Sequence, residues 1–538
     1  MSNQTLQDHL LTSTDSETIF EQTNDKNETL LKDLKENSNE NLKESESNES
    51  DSSEFEKNQK RIKRQEIIQK RENLPFDKNQ YTPKFYKPAE HNSPYSNKFF
   101  IFLDKTFYIS QRRSDIKTEF IAGIVMYLAT LYLIDVQPAH FAQFGMEENQ
   151  VKVSMTIVTG LATIVTGFLT GIPVVVSCGI CETNFFIDTL CGKFKYSWQS
   201  SLSLIFLQGA ICLVLSFFIV RKSFVMAIPN SFRLGFAFGI GLFIGKVGVL
   251  GFVSISNEEI ELEYQTLIGL FCLVLLAIGV YWDFRLMFII AVLVSSIISL
   301  IISLTVDHEK LKWFPISLND IAFKLKFKYK NASVISLLVI SVINNLINTL
   351  STSFTLIQFT YLQNLIFDTN TFLKLLIEKN GYLKKMLFTN AIFSMISPLL
   401  GTPATVPLIE SVIGSAIGSR TGLSSVTTGL LFLITITFLP FTKIIPSEAT
   451  GPLLLYSLVL LFSMVKYIDF GDLVDEIPII VATLAIPVFN SIPYGFAVGY
   501  VSLVAFWIVG KKFKKLTFMM FIIGILSVAT IVLPSINF

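Results

Sequence analysis

From Glu119 onward the chain is a succession of apolar stretches separated by short polar or Gly/Pro-bearing breaks. A helix that crosses a bilayer needs about 20 predominantly apolar residues, so each full-length stretch predicts a span. The windows are 119–139, 152–172, 174–190, 198–220, 232–253, 265–281 and 284–305, then 332–357, 384–400, 404–419, 421–442, 450–466, 473–488 and 491–510. They form two sets of seven, and the fold class they predict is an all-α polytopic membrane protein with about 14 transmembrane segments. A last apolar stretch, 516–536, is read either as a fifteenth span or as a helix lying along the membrane. The third and tenth segments depart from the pattern, being short and interrupted by Pro and Gly. In the tenth, Pro403 and Pro407 lack backbone donors and block a continuous helix. Each is third in its set of seven. Short, interrupted segments at matching positions of two halves point to inverted repeats with a binding site between them.

The polar residues divide the chain. Residues 1–117 are read as a disordered cytoplasmic tail, because their Asn/Ser/Glu/Lys-rich beginning cannot bury enough surface to fold. Residues 118–305 and 332–510 are the two repeats, 306–331 the loop between them, and 511–538 a basic cluster with the last hydrophobic segment. The basic stretch Lys57–Arg71 is a solvated tail or is drawn to an anionic inner leaflet. No cleavable signal is visible, so the first span serves as the insertion signal. Arg112, Arg113 and Lys117 before the first span place the N-terminus in the cytoplasm. Arg221, Lys222, Arg285, Lys384, Lys385, Lys511, Lys512, Lys514 and Lys515 then also fall on the cytoplasmic side. Lys324, Lys326, Lys328 and Lys330 fall outside and disagree. Their alternation with apolar residues suggests an interfacial segment. Composition agrees with a membrane protein: 51% of residues are hydrophobic, 48 are Phe, and the net charge is +1.

Few residues offer chemistry. Glu410 is an acid where a helix resumes after an unwound stretch. At membrane depth a carboxylate is costly unless it binds something. Its structural alternatives are a pair with Arg420 or a cap on its own helix. Cys178 and Cys181 form a CxxC with no second pair, and the histidines are scattered, so we expect neither metal nor cofactor. His140 is read as interfacial, Lys246 as snorkelling, Arg233 as a cytoplasmic anchor and Asp135 as reaching the interface. The spans hold no HExxH, GxSxG or paired-aspartate motif, which argues against an enzyme. Nothing suggests a nucleic-acid partner.

Several blocks occur together in one order: TEFIAGIVMYLATLYLIDVQP (118–138), SWQSSLSLIFLQGA (197–210), AIPNSFRLGFAFGIGLFIGKVG (227–248), LIESVIGSAIGSRTGL (408–423) and FNSIPYGFAVGY (489–500). Through them the chain resembles the nucleobase/ascorbate transporter superfamily, in its AzgA-like hypoxanthine/guanine/adenine permease branch. The resemblance implies seven-plus-seven inverted repeats, with spans 1–4 and 8–11 as core and spans 5–7 and 12–14 as gate. It implies short strands in segments 3 and 10, a homodimer in the plasma membrane, and inward movement of a purine with a proton.

The same resemblance assigns site residues. Glu410 matches the family's glutamate, and Thr405 and Ser411 flank it. In the third segment the family's asparagine aligns with Thr183, with Asn184 following it. The backbone after Gly179 is placed to donate to a purine carbonyl. In the eighth span relatives read D-L-F-D-T-x-G-T, whereas this chain has Asn345 and Asn348 in place of both acids. An amide cannot titrate. Three readings follow: Asn348 binds the base while Glu410 alone handles the proton; Glu182, an acid where the family is apolar, inherits the proton; or transport is facilitated and uncoupled. The rival functions are a sibling carrier of uracil, xanthine, urate, ascorbate or an anion, and a non-transporting sensor of the same fold.

Overall fold

The computed structural model describes residues 97–532 except 113, 220–226, 257–258, 262, 283, 307–315, 330–333, 363–380, 469–471 and 514–515. The acidic and basic parts of the tail, His9, His91, Arg113, Arg221, Lys222, His308, Lys330, Lys514 and Lys515 lie outside the described residues.

The described part opens earlier than the first expected span. Helix α1, Lys98–Phe107, falls within the stretch grouped with the tail. Its sequence, KFFIFLDKTF, is amphipathic rather than tail-like, and Asn97 caps it by accepting from the Phe99 amide. Leu103, Phe107 and the following Ile109 pack against Leu423 and Val426.

The fourteen segments then appear in order. Helices α2 (Ile116–Thr130) and α3 (Tyr132–Ala142) adjoin at Leu131 and make the first span. Helix α4 is Glu148–Thr170. The third segment is strand β1 (Val175–Cys178), helix α5 (Ile180–Asn184) and a π-helix, Phe185–Lys193. Helices α6 (Trp198–Ile219) and α7 (Asn230–Leu250) follow. A small hairpin, β2 (Ser254–Ser256) and β3 (Glu259–Glu261), leads to α8 (Tyr264–Tyr281) and α9 (Met287–Val306).

The second repeat opens with α10 (Val334–Leu362) and α11 (Tyr382–Leu400). Its third segment is strand β4 (Thr405–Leu408), a 3-10 turn (Ile409–Ser411) and helix α12 (Val412–Ile417). Then come α13 (Gly422–Thr435) with its 3-10 extension Ile436–Ile444, α14 (Ser447–Phe462), α15 (Leu473–Phe489) and α16 (Ile492–Val509).

The two repeats match in detail at their interrupted segments. Helices α4 and α11 both end on a left-handed glycine, Gly171 (φ 69°) and Gly401 (φ 95°). Each is followed two residues later by a proline, Pro173 or Pro403, and after one more residue by a four-residue strand. β1 and β4 pair antiparallel, Val175 opposite Leu408 and Cys178 opposite Thr405. The ribbon therefore sits on the pseudo-twofold relation between the halves. Its backbone groups bond to each other, as irregular chain at membrane depth requires.

The helices sort into two bodies. α2–α6 pack with α10–α13, and α7–α9 pack with α14–α16. Close helix approaches use glycine. A Cβ on Gly422 of α13 would lie 2.0 Å from the carbonyl oxygen of Gly167 on α4. One on Gly451 of α14 would lie 2.5 Å from that of Gly248 on α7. Without a hydrophobic drive between helices in lipid, such backbone contact is what holds them.

The loop before the second repeat packs where α4 and α6 begin and α11 ends. The Phe323 amide donates to Leu399 O (2.6 Å), Lys326 N–H to Gln199 O (3.3 Å) and Ser203 Oγ to Lys326 O (2.8 Å), while Gln150 bonds Asp320. Lys324, Lys326 and Lys328 are exposed there, and Leu325 and Tyr329 turn in against the cluster around Leu202 and Ile205. The alternation thus forms a surface segment, on the face opposite Arg285 and Lys384. The last apolar stretch is α17, Phe518–Val532, packed along α16 and touching α10, with Met520, Ile523, Ser527 and Thr530 buried.

Candidate site between the two half-helices

A small cavity lies where the interrupted segments meet. Its wall includes Gly179, Ile180 and Cys181 from the third segment and Val406–Glu410 from the tenth. Leu133 of α3, Asn348 and Thr352 of α10, Phe243 and Ile244 of α7, and Ile492 at the start of α16 complete it. Both bodies of the fold contribute. The free space at its centre is about 30 Å³, room for about two waters at 10–15 Å³ each and not for a bicyclic base. The site is therefore closed around its polar groups.

Glu410 is 2% exposed and is the acid of this cavity. Pro407 and the 3-10 turn bring it there: the strand cannot run on as a helix, so the side chain is turned into the gap. Tyr132 Oη donates to its Oε1 at 2.9 Å. The pairing with Arg420 does not occur: Arg420 lies at the foot of α13, its amide donating to Glu119 Oε1 (2.8 Å) and its guanidinium to Arg112 O (3.3 Å). Across the cavity, Asn348 Oδ1 is buried without a hydrogen-bond partner among the described residues. An orphaned buried acceptor costs about 1–3 kcal/mol and calls for a donor.

Behind the ribbon lies a second polar group. Asn345 Nδ2 donates to Thr405 O (3.2 Å), Asn390 Nδ2 to Thr349 Oγ1 (2.8 Å), and Thr405 Oγ1 to Asn390 Oδ1 (3.2 Å). Glu182, 3% exposed, faces Asn348 and Asn345, and its Oε1 has no partner among the described residues.

The residues singled out from sequence divide accordingly. Glu410, Asn348 and Gly179 line the cavity. Thr405 and Ser411 do not: Thr405 belongs to the Asn390 group, and Ser411 Oγ donates to Leu408 O (2.7 Å) and accepts from the Val175 amide (2.8 Å). Its hydroxyl locks the strands together because both its bonding directions are used on backbone. Thr183 also turns away, donating to Gln137 Oε1 at 2.9 Å, while Gln137 donates to Cys178 O at 3.2 Å. Asn184 ends α5, half-buried, outside the cavity wall. Phe185, Phe186 and Phe354 lie outside the cavity wall, whereas Phe243 lines it.

Sequence reasoning missed Tyr132, Gln137, Cys181 and Phe243. Tyr132 and Gln137 could have been found as polar atoms inside an apolar span; Cys181 and Phe243 carry no such signal. The CxxC cysteines are both free. One charge assignment changes. Arg233 is no interfacial anchor: it is 6% exposed, over the Phe354 ring (5.4 Å) and bonded to Asn230 Oδ1 (3.3 Å). Asp135 is half-buried near the end of the first span, accepting from Thr442 Oγ1 (2.8 Å) and pairing with Lys152 (3.2 Å). Lys246 remains exposed, its Nζ donating to Asn490 Oδ1 at 2.9 Å.

Known proteins resemble this chain along nearly the whole membrane part. It is 25% identical to the adenine permease AdeQ of Escherichia coli over 80% of this chain and 96% of that one. It is 26% identical to the adenine permease AdeP of the same species, with the same coverage. It is 28% identical to the guanine/hypoxanthine permease GhxP of Escherichia coli O157:H7, over 77% of this chain and 93% of that one. The model described as "Permease family" matches residues 117–498, from the start of the first span into the last of the fourteen. With that match over most of its length, and with the interrupted-helix site in place, the chain belongs to this permease family, the nucleobase/ascorbate transporters, and is an integral membrane protein.

Proposed function

We propose that the protein is a purine nucleobase permease that works by alternating access of a core (α2–α6, α10–α13) and a gate (α7–α9, α14–α16). The observation that carries the reading is Glu410, a buried carboxylate facing the orphaned Asn348 carbonyl across a cavity that both bodies line. Two acceptors set opposite each other suit a flat heterocycle with N–H groups on its edges. A base N–H to a carboxylate is a charge-assisted bond, about 1.5–3 kcal/mol each. The adenine and guanine/hypoxanthine permeases that the chain resembles support a purine as cargo. The cavity is too small for a base as it stands, so loading requires the two bodies to separate. The family and the site favour a transporter over an enzyme or a sensor.

We read the protein as a plasma-membrane homodimer with a cytoplasmic N-terminus. Arg285, Lys384, Lys385, Lys511 and Lys512 lie on the face where α2 begins, which supports that orientation. Proton coupling is a second element of the proposal. Glu182 is the observation that favours it: an acid with an unpaired oxygen, beside the two amides that replace the family's acids. Uptake of radiolabelled adenine, guanine and hypoxanthine by a transporter-deficient cell tests cargo. The same uptake with an imposed pH gradient tests coupling. Absence of purine uptake by a correctly inserted protein overturns the proposal; uptake indifferent to the gradient leaves a facilitator.

A further inference from the structure

Helix α1 lies on the flank of the core. Its buried residues Leu103 and Phe107 pack on Leu423 and Val426 in the first turns of α13. The Phe107 ring also meets that of Phe168, near the end of α4, at 5.2 Å between centroids. Both contacts fall at the foot of a stripe that faces outward. On α13, Leu430 and Ile434 continue Val426 at steps of four residues, and both are exposed. On α4, exposed Leu161 and Val165 lead to Phe168 at steps of four and three. Large apolar side chains exposed in line along a spanning helix face lipid. α1 therefore sits against the lipid-facing side of the core, at the level where α4 ends and α13 begins.

The outward side of α1 has its own chemistry. Lys98, Phe102 and Lys105 follow one another at four and three residues, away from Leu103 and Phe107, with Phe99 beside them. Phe102 is 63% and Phe99 58% exposed, a surface that is costly in water. Both lysines are exposed as well. The one acid of the helix, Asp104, is buried and accepts from the Ser110 amide (2.8 Å) and hydroxyl (2.9 Å). The outer face thus joins aromatic rings to positive charge alone. A soluble partner would have to enter the lipid boundary to cover these rings, whereas phospholipid is already there. A phospholipid offers acyl chain to the rings and phosphate to the ammonium groups at one depth. A zwitterionic headgroup brings a cation of its own, so an anionic one gains more from the two lysines.

We propose that α1 is an interfacial helix that binds anionic phospholipid, with Phe99 and Phe102 among the first acyl carbons and Lys98 and Lys105 at the phosphates. With the N-terminus cytoplasmic, as read above, the leaflet is the inner one; the lipid contact itself depends neither on that orientation nor on the cargo. Because α1 bears on α4 and α13, both of the core, the bound lipid anchors the core and not the gate.

The test uses the purified full chain in nanodiscs of mixed phosphatidylcholine and phosphatidylglycerol. The five native cysteines are all buried, so Phe102→Cys directs a thiol-reactive fluorophore to α1. The fluorophore should be shielded from aqueous iodide and quenched by phospholipid spin-labelled near the top of its acyl chain. At equal mole fraction, spin-labelled phosphatidylglycerol should quench at least about twice as strongly as spin-labelled phosphatidylcholine. Adding Lys98→Gln and Lys105→Gln, both at exposed positions, should bring the two lipids to equal quenching. A fluorophore open to iodide and untouched by lipid would mean that the helix faces water. One shielded from both would mean that protein covers it. Equal quenching by the two lipids with the lysines in place, or a preference that survives their removal, would mean that the lysines select no headgroup. Each of these results overturns the proposal. A protein that meets these expectations but takes up no purine defeats the proposed function and leaves this inference standing.

Discussion

The third and tenth segments share one architecture and differ in chemistry. Both follow a glycine-capped helix, turn at a proline, pair through a four-residue strand and resume as a half-helix. In the tenth, the acid is the second residue after the strand, Glu410, and it faces the cavity. In the third, the second residue is Ile180, which also faces the cavity, whereas the acid, Glu182, comes two residues later. Two residues on a helix turn a side chain by roughly 200°, to the opposite side. Because the strands are antiparallel, the third half-helix leaves beside Thr405, the strand residue to which Asn345 donates. Glu182 thus arrives at the amides of α10 rather than at the cavity. The symmetry builds the frame, and the offset of the acids separates a carboxyl that lines the cavity from one that does not.

The largest expected effect breaks this contrast at the tenth segment. Glu410→Gln should lower apparent purine affinity by about tenfold to a hundredfold, the loss of one charge-assisted bond at about 1.5–3 kcal/mol, in a protein that still reaches the membrane. Unchanged KM in radiolabelled uptake would make Glu410 structural. The matching change in the third segment, Glu182→Gln, should alter KM by no more than about threefold at neutral pH. It should instead flatten the dependence of uptake on an imposed pH gradient, and Asn348→Asp in that background should restore it. A large loss of binding with intact pH dependence would reverse the roles assigned to the two acids.

Two smaller effects sharpen the frame. Thr183→Ala deletes the bond to Gln137 that ties the third half-helix to the first span, worth about 1 kcal/mol, and should raise KM several-fold. Asn184→Ala should be close to neutral; the opposite order in uptake assays would put Asn184 at the site. The smallest effect lies at the surface. The hydrogen bond from Lys512 Nζ holds the Asp472 carboxyl below its ordinary value, with the Val474 amide assisting. A depressed carboxylate adds stability above its unfolded pKa, near about 3.9, and loses it as pH falls through the folded value. Asp472→Asn should therefore lower the neutral-pH melting temperature slightly and remove the acid-side fall below about pH 4, so that the two proteins converge there.

The order and number of membrane elements, and the two broken segments, were legible in the sequence. Bilayer thickness imposes a length on apolar runs, and proline and glycine mark where a helix must stop; both are local constraints. Glu410 was legible for a related reason, since an acid at membrane depth is rare enough to stand out. The shared Gly-x-Pro-x-strand pattern at 171–178 and 401–408 was equally present and went unread, because it becomes a signal only once the strands are seen to pair. What only the tertiary structure decided is which side each polar residue takes. Thr405 and Ser411 lie close to Glu410 in the chain yet serve backbone bonding, because antiparallel pairing consumes the groups around them. Tyr132, distant in sequence, becomes the partner of Glu410 because α2 packs on the tenth segment and brings the α2–α3 junction beside it. Arg233 stands in the first turn of its helix, where sequence predicts an anchor, but α10 and α17 close over it. Position along a span follows from the chain; orientation around it follows from what the other repeat places alongside.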